Sequence, residues 1–109
     1  GPDFATHIAA DVSGTTPVVR YGKFEFPDDQ DWFRFTADDL QNYRLVFESG
    51  RTLPWVSLWA PGDTDTPRWT VRQEVVDFDV PSDGTSFLSV HPPDGNGGSY
   101  GFTFVRAPK

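Results

Sequence analysis

Apolar residues recur at every second position in short runs along most of this chain, and that period constrains its fold more than any other feature. In Asp31-Trp32-Phe33-Arg34-Phe35-Thr36, Phe33 and Phe35 alternate with Trp32 and Arg34. A strand sends successive side chains to opposite faces. Phe33 and Phe35 therefore point one way, while Trp32 and Arg34 point the other. The pattern repeats in 18–26, where Phe24 and Phe26 share a face, and in 42–48, with Tyr43, Leu45 and Phe47 together. In 54–60, Val56 and Leu58 lie opposite Trp55, Ser57 and Trp59, so both faces carry bulk. Val76, Phe78 and Val80 form one face of 75–80, and Tyr100, Phe102 and Phe104 one face of 99–105. Residues 86–90 add another run, and 68–74 a ragged one.

Between these runs stand Pro27-Asp28-Asp29, Ser49-Gly50, the loop 61–67, Pro81-Ser82-Asp83-Gly84 and the loop 92–98. Gly and Pro, ten of each, serve as punctuation rather than as a tail. No stretch shows the 3.6-residue period of an amphipathic helix. Seven or eight short strands separated by regular turns predict an all-β, antiparallel β-sandwich or jelly roll whose in-facing residues form one core. The strands at 18–26 and 31–36 read as a hairpin, and residues 3–16 as a lead-in packed along an edge.

At 109 residues the chain is one domain, 3–109, preceded by Gly1-Pro2, which reads as the remnant of a cleaved expression tag. No apolar run approaches the ~20 residues that span a bilayer. The formal charge of −7 argues against nucleic acid as a partner, because a phosphate backbone repels such a chain. With no cysteine, disulfides, thiol catalysis and thiolate metal sites are excluded.

The order Gly22-x-Phe24-x-Phe26-Pro27-Asp28-Asp29-Gln30-Asp31-Trp32-Phe33-Arg34-Phe35 resembles the signature of the bacterial pre-peptidase C-terminal domain. Further along, 43–47, 54–59, 84–90 and 98–102 resemble its later strands in the same order, so the likeness runs from about Asp3 to Val105. It implies a β-sandwich of jelly-roll type appended to secreted bacterial hydrolases and other exported proteins. Related domains of bacterial collagenases bind collagen, and some need calcium. The chain departs from the pattern at Ser86, where an aromatic is usual, and in the loop 61–67.

Two groups of residues are candidates for a site. Ca²⁺ takes about six to eight oxygen ligands from carboxylates and carbonyls on adaptable loops. Asp28, Asp29 and Asp31 converge at one strand start, with Asp3 or Asp11 of the lead-in as further donors. The same acids also suit turn chemistry, since a short carboxylate bonds its local backbone. Trp55 and Trp59 share a face with the non-core parity of Trp32 and Phe87, and flat aromatics on an exposed sheet suit sugar rings or peptide side chains. Only two histidines are present, His7 and His91, and neither a nucleophile elbow nor a phosphate loop occurs, so no enzyme is expected. The expectation is a non-catalytic accessory module of a larger protein, secreted or on the bacterial cell surface. It would aid secretion or anchoring, or bind an extracellular polymer or protein (a polysaccharide or a collagen-like chain); the alternative is a structural spacer packed on a neighbouring domain.

Overall fold

The computed structural model describes residues 6–7, 17–26, 29–37, 42–60, 62, 65–79, 84–94 and 97–107. Gly1-Pro2, Asp3, Asp11, Asp28 and Val80 lie outside these described residues. Among the described residues nine strands form two sheets: β1 (Thr6–His7), β2 (Val18–Phe24), β3 (Asp31–Ala37), β4 (Asn42–Phe47), β5 (Trp55–Trp59), β6 (Trp69–Val71), β7 (Val75–Asp79), β8 (Gly84–His91) and β9 (Gly98–Ala107). One sheet has the order β1-β3-β8-β5-β6, the other β2-β9-β4-β7. Among the described residues, no helix is long and apolar enough to cross a membrane.

Leaving β1 aside, the strands pair from the outside inwards. β2 pairs with β9, β3 with β8, β4 with β7 and β5 with β6, all antiparallel. Lateral pairing of β4 with β9 and β5 with β8 rolls this long hairpin into two facing layers. That is a jelly roll, with the two-residue β1 added in parallel along the β3 edge. Two details differ from the sequence reading. β2 and β3 are not a hairpin: they lie in different sheets, and Phe24 of β2 and Phe33 and Phe35 of β3 cover opposite sides of one core. Phe26 does not join Phe24 inside, because β2 ends at Phe24 and the chain turns; Phe24 is buried and Phe26 exposed.

The core follows the alternation. Phe33, Phe35, Leu88, Val56, Leu58 and Val90 from one sheet meet Phe24, Tyr43, Leu45, Phe47, Val76, Phe78, Tyr100, Phe102 and Phe104 from the other. Rings dominate the contact. Phe35 packs against Phe104 at 5.1 Å and edge-on to Tyr43 at 5.6 Å, and Phe33 meets Phe102 edge-on at 5.1 Å. Offset and edge-on aromatic pairs add about 0.5–1.5 kcal/mol each beyond their area burial. Trp69, on the edge strand β6, turns inward onto Phe78 at 5.4 Å. Ser86 occupies a core position of β8 opposite Phe35; its hydroxyl is fully buried and has no hydrogen-bond partner among the described residues.

Candidate functional site

Strand parity and register together bring the sequence-predicted aromatics onto one surface. Trp32 of β3, Phe87 of β8, and Trp55 and Trp59 of β5 all stand on the outer face of the β1-β3-β8-β5-β6 sheet. The register sets Trp59 opposite Phe87, Trp55 opposite His91, and Trp32 opposite Ser89. Trp32 contacts Trp59 at 5.0 Å and Phe87 edge-on at 6.5 Å, so three of the four rings form one cluster. Trp55 stacks nearly parallel on His91, 6.5 Å away, and is the most open of the four, at 36% exposure.

Polar side chains beneath the cluster hold Trp59 in place. Ser89 is fully buried, and its hydroxyl accepts from the Trp59 indole N–H at 2.9 Å and from the Gln30 side-chain amide at 3.1 Å. Beside it, the Ser57 and Thr70 hydroxyls bond each other at 2.7 Å across β5 and β6. A buried tryptophan N–H with a partner is fixed in orientation as well as position. Burial pushes the His91 imidazole below its ordinary pKa, so the ring beside Trp55 is neutral at neutral pH. Its Nδ1 has no partner among the described residues.

Charge is distributed unequally between the two outer faces. On β3, β8, β5 and β6, every outward strand position holds an aromatic, a hydroxyl, a histidine or an arginine, and none a carboxylate or an aliphatic side chain. The outer face of the opposite sheet carries Asp77 and Asp79 together with Lys23 and Arg44, and exposes Val19, Tyr21, Val46 and Val75. A depression of about 310 Å³ opens there between Asn42, Arg44, Asp77, Phe78, Asp79 and Ala107. Its main charges satisfy each other, Arg44 gripping Asp77 with two bonds of 2.6 and 3.1 Å.

The acidic residues at the head of β3 are engaged locally. The backbone N–H of Glu25 donates to Asp29 Oδ2 at 2.9 Å, closing the turn. Asp31 faces inward, and the Tyr100 hydroxyl crosses from the other sheet to donate to its Oδ2 at 2.6 Å. Burial raises the Asp31 pKa, the Tyr100 bond opposes that rise, and Asp29 and Glu25 add to it by repulsion. Gly22 makes the crossing feasible. It lies opposite Tyr100 in the β2–β9 register, and a Cβ there would collide with the tyrosine hydroxyl and ring. Gly22, Asp31 and Tyr100 thus form one tie between the layers, a role that sequence reading did not find. Among the described residues no group of three or more His, Asp or Glu side chains is placed to hold a metal ion. A cation at the head of β3 would need oxygen donors besides Asp29 and Asp31.

No protein-family model and no curated protein sequence matches the chain. Solved structures do. The periplasmic inhibitor of g-type lysozyme PliG from Aeromonas hydrophila superposes with a TM-score of 0.75 at 12% identity, over 94% of this chain and 97% of that one. PliG from Salmonella Typhimurium gives 0.70 at 15% identity, over 94% and 98%. The pre-peptidase C-terminal domain of a Bacillus anthracis collagenase gives 0.62 at 18% identity, over 92% and 93%. The resemblance read from the sequence therefore holds at the level of fold, and the same fold is shared with a group of inhibitors.

Proposed function

We propose that this jelly roll, built like the collagenase domain and the lysozyme inhibitors, is a non-catalytic binding module of a secreted or cell-surface bacterial protein. Its ligand, an extracellular polymer or protein, would lie on the outer face of the β1-β3-β8-β5-β6 sheet. The observation that carries this reading is the gathering of Trp32, Phe87, Trp55 and Trp59 on one face, whose described strand positions hold no carboxylate. Large rings packed on one another, with Trp59 fixed by Ser89, offer apolar area at low entropic cost, as binding hot spots do. The test is a binding panel of glycans, collagen and chitin with wild type and Trp55→Ala. Binding lost in the variant supports the face. Binding unaffected by it places the site off this face, and none at high concentration removes the proposal in favour of a spacer packed on a neighbouring domain.

A second reading rests on the TM-score of 0.75 and near-complete mutual coverage with PliG. The chain would then inhibit a g-type lysozyme. Lysis of bacterial walls by that enzyme, with and without the protein, decides it: an unchanged rate at excess protein rules the reading out. Calcium held by Asp28, Asp29 and Asp31 is the remaining part of the proposal, and Asp29 and Asp31 would supply its ligands from the described residues.

A further inference from the structure

The aromatic face is bordered by arginines in register. Arg34 of β3 pairs with Phe87 of β8, and Phe87 pairs with Trp59 of β5. Leu58 pairs with Trp69, and the Arg68 N–H donates to the Leu58 carbonyl, so Arg68 continues the row next to Trp59. One line across the sheet therefore reads Arg34, Phe87, Trp59, Arg68, with both guanidinium side chains exposed at its ends. Three strand spacings separate them, about 14 Å. Among the described residues, neither arginine is in an ion pair, whereas Arg44 and Arg51 are paired to Asp77 and Glu48.

We propose that the ligand of this face is an acidic polysaccharide, its sugar rings lying on Trp59, Trp55 and Phe87 and its carboxylate or sulfate groups meeting Arg34 and Arg68. This inference rests on the binding-face reading and names the ligand class. Pyranose C–H bonds fit the electron-rich face of an aromatic ring, and guanidinium groups bind carboxylates and sulfates in a planar fork. Around the rings this face exposes the hydroxyl-bearing side chains Thr36, Thr85 and Thr70, which suit a hydroxyl-bearing ligand. The overall charge of −7 repels an acidic polysaccharide at long range as it does a nucleic acid, so binding would come from the local arginine pair. At physiological salt the Debye length is about 8 Å, which largely screens exposed acids farther than that from the arginines.

The experiment titrates polygalacturonate, a neutral β-glucan, poly-glutamate and a single-stranded oligothymidylate into wild type, Arg34→Gln/Arg68→Gln and Trp55→Ala. Each variant is first checked for a wild-type unfolding midpoint. The proposal expects polygalacturonate binding at about 0.15 M salt, largely lost at about 1 M, where the Debye length is about 3 Å. The double arginine variant should bind on the order of tenfold more weakly, and Trp55→Ala should also weaken binding. Equal, salt-insensitive binding of the neutral glucan, unaffected by the arginine changes, would overturn the acidic ligand and leave the binding face standing. Preference for poly-glutamate or oligothymidylate would overturn it in favour of another polyanion. If no probe binds, the acidic-polysaccharide proposal fails, and the broader glycan, collagen and chitin panel decides the face separately.

Discussion

Replacing Tyr100 with Phe should destabilise the domain in a pH-dependent way. The substitution keeps the ring, its packing at 4.9 Å from Phe24 and the space above Gly22, and removes only the hydroxyl that donates to Asp31. A hydrogen bond to a charged group contributes about 1.5–3 kcal/mol, and partial solvation of Asp31 brings the expected loss to about 1–2 kcal/mol. Unfolding entropy near 2.1 cal/mol/K per residue makes that a fall of about 4–9 °C in midpoint for 109 residues. The pH dependence has a definite sign. The Asp31 pKa is raised in the fold, chiefly by burial, so its contribution to stability is full at low pH and is lost as pH rises through its folded pKa. Tyr100 limits that loss by favouring the ionised carboxylate. In Tyr100→Phe the loss is larger, so the gap from wild type is widest at neutral pH and narrows through the acid carboxylate range. In an Asp31→Asn background the Tyr100→Phe effect should be smaller, about 0.5–1.5 kcal/mol, and flat with pH. Thermal unfolding by circular dichroism between pH 3 and pH 8 (about the span of carboxylate titration) reads all four proteins. A penalty below about 0.5 kcal/mol at neutral pH, or one equal at both ends, would refute the tie.

Further outcomes follow from the same geometry. Gly22→Ala should lower stability by about 1–3 kcal/mol or prevent folding, because its Cβ overlaps the Tyr100 ring; a wild-type urea midpoint would contradict the crossing. Ser86→Ala should raise stability by about 1 kcal/mol, since it removes a buried hydroxyl with no partner among the described residues; a loss of stability would show that the hydroxyl is satisfied. If calcium is held at Asp28, Asp29 and Asp31, an ion at about a hundredfold its Kd adds about 2.7 kcal/mol to stability. Millimolar Ca²⁺ should then raise the midpoint of wild type but not of Asp31→Asn, and an unchanged wild-type midpoint would leave these acids with their hydrogen bonds alone.

The sequence was most informative where the period of two was strict. Phe33, Phe35, Tyr43, Leu45, Phe47, Val56, Leu58, Tyr100, Phe102 and Phe104 are all inside, because alternation fixes a face as soon as one side of a strand is covered. It was least informative about pairing. The stretch between β2 and β3 looks like a hairpin turn, yet no local signal tells a turn within a sheet from a crossing between sheets. Phe26 shows the limit of parity past a strand's end. The aromatic face was legible residue by residue, but not that Trp32 touches Trp59, nor that Arg34 and Arg68 border the row, because each depends on cross-strand register. The Tyr100–Asp31 bond, between residues 69 apart in sequence, was beyond any local pattern. That bond gives Gly22 and Asp31 a structural role in this chain.

The central claim, that ligand lies on the outer face of β3, β8 and β5, is tested most directly by the indole N–H resonances. Trp32, Trp55 and Trp59 stand on that face, whereas Trp69 turns inward onto Phe78. During titration with the polymer or protein selected by the binding panel, the account predicts saturable shifts of the Trp32, Trp55 and Trp59 signals and a stationary Trp69. Saturable binding that leaves those three signals in place, while moving backbone amides of β2, β9, β4 and β7, would contradict it.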